Sequence, residues 1–224
     1  MASDTNFTVK GWLSFYNGTM AKAIARNKKS DYPVADDKIA PDYYILLDEK
    51  NLERVINWSR DVFLPYCYEQ YVDEEKWNAL EKKNVDRLIK VLDERDWETQ
   101  PPWIPIRPVN EKTLELRPEA VAALKVKGTA GKDITEKAVC NTPEEMQVPE
   151  EDESYPRILP IGETVHTMYA GAWVGATLRF YPFVSGKVPG YSATSGTLIF
   201  IKDAPRFGRG DSNDVEEDDI FLDD

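Results

Sequence analysis

Histidine occurs once, at His166, and cysteine twice, at Cys67 and Cys140. A lone imidazole has no paired metal ligand and no nucleophile to serve. Two thiols so far apart make neither a disulfide framework nor a zinc cluster. They are expected to be buried thiols of a reducing compartment. No run of about eighteen apolar residues occurs and no apolar segment opens the chain, so neither a membrane span nor secretion is expected. The Asn-x-Ser/Thr triplets at Asn6, Asn17 and Asn57 and the triplet Arg209-Gly210-Asp211 then lose their meaning, since both need an extracellular protein. Gly-x-Ser-x-Gly and glycine-rich phosphate loops are missing too. The expectation is a protein without catalysis and without a cofactor.

Acid is plentiful but unevenly spread. The 224 residues carry a net charge of −12. Eight carboxylates and no base lie in Asp211–Asp224 (DSNDVEEDDIFLDD), and six carboxylates and no base lie between Ala138 and Pro156. Without those two segments the remaining residues sum to +2. Self-repulsion predicts a disordered tail. Its apolar tip, Ile220, Phe221 and Leu222, is of no use to a segment that only solvates the chain. Such a tip suits capture by a partner's pocket, with the acids steering toward a basic rim.

The body reads as strands with helical insertions. Phe7–Tyr16 alternates, with Val9, Leu13 and Phe15 on one face and Lys10, Trp12, Ser14 and Tyr16 on the other. From Lys10 to Lys29 the charges are Lys10, Lys22, Arg26, Lys28 and Lys29, with no acid among them. Asp42–Leu47 is a second strand. Asp48 then caps a helix with Leu52, Val55, Ile56, Val62 and Phe63 on one stripe and Pro65 as its stop. Another helix is predicted from about Asp73 to Leu92, with Trp77, Leu80, Leu88 and Val91 inward. Gln100–Val109 holds four prolines and reads as a rigid connector. Ala122–Ala130 resumes alternation, with Leu124 and Val126 inward and Lys125 and Lys127 outward, and the acidic stretch after Ala138 reads as an exposed loop.

Met168–Val184 alternates throughout, setting Ala172, Val174, Ala176, Leu178 and Phe180 against Tyr169, Trp173, Thr177, Arg179, Tyr181 and Phe183. A turn at Ser185–Gly190 returns the chain as Tyr191–Lys202. Gly171, Gly175 and Gly196 suggest bends where a sheet curls into a small barrel.

Outward faces that mix cations with aromatics suit single-stranded nucleic acid. Phosphates need a positive groove, and bases need flat side chains on which to stack, each worth about 1–3 kcal/mol. The candidates for stacking are Trp12, Tyr16, Trp173 and Tyr181. Lys10, Lys22, Arg26, Lys28, Lys29, Lys125, Lys127 and Arg179 are the candidates for phosphate contact. Trp12 has a structural alternative, packing beneath an insertion while the lysines are merely solvated.

The segment Tyr169–Gly210 (YAGAWVGATLRFYPFVSGKVPGYSATSGTLIFIKDAPRFGRG), followed by an acidic tail ending in DDIFLDD, resembles the single-stranded-DNA-binding proteins of bacteriophage replication. That resemblance implies a mainly β protein with helical insertions. Residues 1–210 would form a five-stranded OB-fold barrel, with helices at about 49–95 and an acidic loop at about 138–156. Residues 211–224 would form a disordered acidic tail for protein interaction. The tail departs from the family in that Leu222 and two acids follow Phe221. It also implies protection and annealing of single strands in replication, recombination and repair, in the cytoplasm of an infected bacterium. Asp218, Asp219, Ile220 and Phe221 would recruit polymerase, helicase/primase or recombination proteins, and the tail would compete with DNA for the groove. A homodimer is left open. Two rivals stand beside this reading. An acidic interaction or DNA-mimic protein would not bind DNA itself, and a nuclease would need clustered carboxylates around a divalent metal.

Overall fold

The computed structural model describes residues 5–15, 20–71, 82–98, 103–132, 138–141, 158–160, 168–185 and 188–207. Tyr16, Trp77, Leu80, His166, the carboxylates between Glu144 and Glu153, and the whole acidic tail lie outside the described residues.

The fold is mainly β with helical insertions. Among the described residues eight strands form one sheet: β1 (Asn6–Phe15), β2 (Asp42–Leu47), β3 (Ile106–Arg107), β4 (Ala122–Lys127), β5 (Ala138–Asn141), β6 (Ile158–Pro160), β7 (Trp173–Ser185) and β8 (Val188–Lys202). Their order is β3-β4-β2-β1-β7-β8-β5-β6, and β4 also pairs with β8. That extra pairing closes β4, β2, β1, β7 and β8 into a ring. Four of its contacts are antiparallel, while β4 meets β8 in parallel through Val126↔Ala193 and Lys127↔Thr194.

Alternation decides what the ring encloses. Val9 and Leu13 of β1, Tyr43, Ile45 and Leu47 of β2, Leu124 and Val126 of β4, and Val174, Ala176, Leu178 and Phe180 of β7 share one buried cluster. Tyr191, Ala193, Leu198 and Phe200 of β8 complete it. A phenol enclosed there needs a partner. The Tyr43 hydroxyl lies 2.8 Å from Ser195 Oγ, and burial pushes its pKa up to about 12.

Five α-helices are inserted among the described residues: α1 (Met20–Lys28), α2 (Glu49–Trp58), α3 (Leu64–Tyr71), α4 (Lys82–Glu94) and α5 (Glu111–Leu116). The Asp48 side chain caps α2 by accepting from the Asn51 N–H at 2.8 Å. Pro65 does not stop the helix, contrary to expectation. A π-helical turn at Ser59–Phe63 joins α2 to α3, and the Leu64 N–H donates to the Ser59 carbonyl five residues back. Pro65 then falls in the first turn of α3, where a missing N–H is tolerated. The extra residue in that turn also shifts the phase of the apolar stripe. Val62, expected inside, is 38% exposed, while Phe63, Leu64 and Cys67 are fully buried. Burial pushes the Cys67 thiol up to about 12.

Phe63 locks the helices to the ring, lying 5.8 Å from the Phe180 ring and 5.4 Å from the Tyr191 ring. The helix predicted to begin near Asp73 is seen from Lys82, with Leu88 and Val91 buried as expected.

Two other stretches differ from their sequence reading. The acidic segment begins as β5, whose Ala138 is buried against β8, so backbone pairing there takes the place of an exposed loop. β7 begins at Trp173 instead of Met168. Gly171 takes φ +104°, and a Cβ there would sit 2.4 Å from the Pro205 carbonyl oxygen, so the chain turns before the strand starts.

Candidate nucleic-acid interface

A cleft of about 220 Å³ opens on the outside of the ring where β4 meets β8. Its far wall is the proline-rich connector, which is more than a spacer. β3 pairs with β4 through Ile106↔Leu124 and Arg107↔Ala123. The Lys125 N–H donates to the Pro105 carbonyl at 2.8 Å, and the Tyr191 N–H to the Trp103 carbonyl at 2.9 Å. The connector is thereby stitched to both strands, and its prolines cost few donors because so little of it lies in the ladder.

Trp103 and Phe183 border the opening beside the buried Tyr191, together with three cations, Arg107, Lys125 and Lys127. Trp103 is 37% exposed. Gly190 makes the pairing of rings feasible. A Cβ on it would lie 2.7 Å from Trp103 Cβ and 2.8 Å from Phe183 Cζ. Arg107 donates to the carbonyls of Ile104 and Ile106, which aims its guanidinium along the wall. Lys125 Nζ is 3.4 Å from Asp42 Oδ2, and Lys127 is exposed.

Register extends this surface across the sheet. Tyr181 pairs with Ser192, which lines the cleft, and Arg179 pairs with Thr194. Arg179 and Tyr181 share the outward face of β7 with Phe183 by alternation. The structure therefore brings together four sequence candidates, Lys125, Lys127, Arg179 and Tyr181, on neighbouring strands.

Trp12 and Trp173 meet elsewhere. They are partners in the β1–β7 register, and their rings stand 4.7 Å apart, edge to face. Trp12 packs with Val109 and Phe207 against Tyr44, Leu46, Ala120 and Ala123. The Arg117 guanidinium lies 6.0 Å from the Trp12 ring centre and 5.0 Å from that of Phe207, and Lys202 Nζ lies 5.8 Å from Trp173. Lys10 is exposed on β1, opposite Gly175 of β7. Lys22, Arg26 and Lys28 lie on α1 and Lys29 follows it; Arg26 and Lys28 occupy the last turn, where they also complement the helix dipole.

The sequence reading passed over Trp103, Arg107 and Gly190, and left Phe183 unassigned. The available signal was an aromatic inside a proline-rich stretch. Such a residue has no regular element of its own to bury it, and an arginine follows four residues later. Among the described residues no group of three or more His, Cys, Asp or Glu could hold a metal ion. No helix among them is long and apolar enough to cross a membrane.

No family profile matches the chain, and no curated protein sequence matches it. Similar solved structures include the single-stranded DNA-binding protein of bacteriophage Enc34, at 12% identity and a TM-score of 0.44 over 94% of this chain and 88% of that one. The same Enc34 protein in complex with single-stranded DNA aligns at 11% identity and a TM-score of 0.43, over 92% of this chain and 91% of that one. The single-stranded DNA-binding protein gp2.5 of bacteriophage T7 aligns at 11% identity and a TM-score of 0.46, over 96% of this chain and all of that one. These neighbours are phage single-stranded-DNA-binding proteins.

Proposed function

We propose that the protein binds single-stranded DNA without regard to sequence, along the cleft between residues 103–107 and the outer face of β4, β8 and β7. The observation that carries this reading is an opening whose border sets Trp103 and Phe183 beside three cations. Trp103 and Phe183 offer faces to bases, with Tyr181 beside them. Arg107, Lys125, Lys127 and Arg179 follow the phosphates. A duplex keeps its base faces stacked inside, so the same cleft selects against it. Lys10, Lys22, Arg26, Lys28 and Lys29 extend the positive surface beyond the cleft.

The protein holds and protects single strands during phage replication and recombination in the host cytoplasm, and brings complementary strands together. The tail at Asp211–Asp224 is a removable competitor for the cations. Once DNA displaces it, Asp218, Asp219, Ile220 and Phe221 are free to recruit replication proteins. Support for the tail comes from its charge and its apolar tip.

Fluorescence anisotropy tests both parts, with labelled single- and double-stranded oligonucleotides over a range of salt. The full chain is compared with one ending at Gly210. Tighter binding to the single strand, weakening with salt and strengthening on truncation, is the expected result. Failure of both chains to bind would overturn the reading in favour of an acidic interaction or DNA-mimic protein. Equal affinity of the two chains at low salt would remove the tail's competing role alone.

A further inference from the structure

The loop after α1 holds an aromatic ring in water by design of its backbone. Tyr32 is 88% exposed, the most exposed large hydrophobic side chain among the described residues. The Asn27 side chain fixes the loop beyond it, with Nδ2 donating to the Val34 carbonyl at 2.8 Å and Oδ1 accepting from the Val34 N–H at 3.0 Å. The Tyr32 N–H itself donates to Ser30 Oγ at 3.2 Å. Ordering a loop around a fully wetted ring brings the fold no burial. It does lower the entropy lost when something flat stacks on that ring.

The loop also rejoins the sheet beside the cleft. Pro41 and Ile39 accept backbone hydrogen bonds from Gly128 at 2.7 Å and Gly131 at 2.8 Å. Gly128 directly follows Lys127, which lines the opening. We propose that Tyr32 is a further base-stacking platform, which a single strand reaches as it leaves the cleft past Lys127. Lys28 and Lys29, both exposed at the end of α1, precede Tyr32 by four and three residues and would meet the phosphates beside a base stacked on it. Asp31, Asp36 and Asp37 lie in the same loop and offset the cations. The ring's contribution is therefore stacking more than charge, and salt should leave it largely unchanged. The inference deepens the single-strand reading and rests on it.

The test is anisotropy of a fluorescein-labelled oligothymidylate with the full chain and its Tyr32→Ala, Tyr32→Phe and Asn27→Ala forms, at low and high salt. Tyr32→Ala should weaken binding about fivefold or more at both salts, and Tyr32→Phe should stay within about twofold of wild type. Asn27→Ala should fall between them, because the ring is kept and its support lost. The unfolding midpoint of Tyr32→Ala should match wild type, since the residue is 88% exposed and buries little. A 5-bromouracil-substituted oligonucleotide should photo-cross-link to Tyr32. Wild-type affinity in Tyr32→Ala, or cross-links confined to other residues, would overturn the inference while leaving the cleft reading intact. Absence of binding by the wild-type chain would instead overturn the single-strand reading, and this inference with it.

Discussion

The outside of the ring carries two groups of aromatics and cations with nearly the same composition and opposite fates. Around Trp12, the rings of Trp173 and Phe207 and the guanidinium of Arg117 satisfy one another, and residues 203–207 run close by. Around Trp103, the ring of Phe183 and the cations of Arg107, Lys125 and Lys127 border an open cleft. The difference lies in what crosses each face. The turn at Gly171 and the chain after β8 come over the first, bound there by the Phe207 N–H donating to the Ala170 carbonyl at 3.1 Å. At the second, the connector approaches from the side and stops at the rim. Composition on a strand face thus tells which chemistry is present, and topology tells whether that chemistry is already used.

The largest effect should come from reversing charge at the open group. Lys125→Glu with Lys127→Glu should weaken single-strand binding at least about 100-fold at low salt, through lost counterion release and added repulsion. Lys127→Ala alone should lower the slope of log affinity against log salt by about 0.7. Reversal at Lys10 and Lys202, near the closed group, should do much less. Equal losses from both pairs, read by anisotropy, would erase the distinction between the two groups.

A smaller effect separates them more cleanly, because it pits affinity against stability. Trp103→Ala should cost about 1–3 kcal/mol of single-strand binding and, with 37% of the residue already exposed, lower the unfolding midpoint less than Trp12→Ala does. Trp12→Ala should do the reverse. Trp12 is mostly but not fully covered, so the stability loss should be roughly 2 kcal/mol, below the about 3–5 kcal/mol of a fully buried aromatic. Denaturant unfolding and anisotropy on the same two variants provide the check. If Trp12→Ala weakens binding and spares stability, the closed group is a platform as well.

The strands were legible because a period of two needs only local sequence. Val9 and Leu13, Leu124 and Val126, and Val174, Ala176, Leu178 and Phe180 all face inward as alternation requires. The same rule put Lys125 and Lys127 outward at the open group, and Arg179 and Tyr181 outward on the strand beyond β8. Trp103 escaped because its partner, Gly190, is far away in sequence and the bridge between them is a single pair. Pro65 misled because one inserted residue in the π turn changes the helix phase, and hydrophobic spacing alone does not reveal where that residue goes. β5 was hidden by the carboxylates that follow it, although Ala138–Asn141 contains none.

Arg117 allows the finest cut between the two groups. It is only 8% exposed, its Nε is buried without a partner, and its other donors reach the carbonyls of Leu116 and Pro205. Burial lowers the pKa of its guanidinium from the ordinary value, so the fold bears a desolvation cost to keep a cation there. Methionine of similar length would remove that cost and keep the contact with Trp12 and Phe207. Arg117→Met should therefore change stability by no more than about 1 kcal/mol, in either direction. What it removes is the donor that holds the Pro205 carbonyl. Residues 203–207 should then open more often, and trypsin should cut after Arg206 faster than in wild type while the ring strands stay protected. Unchanged cleavage would mean that Tyr169, which bonds Asp203 and Ala204 and lies 4.4 Å beneath Arg206, holds that segment by itself. In that case the closed group is closed by the turn at Gly171 and owes nothing to its arginine.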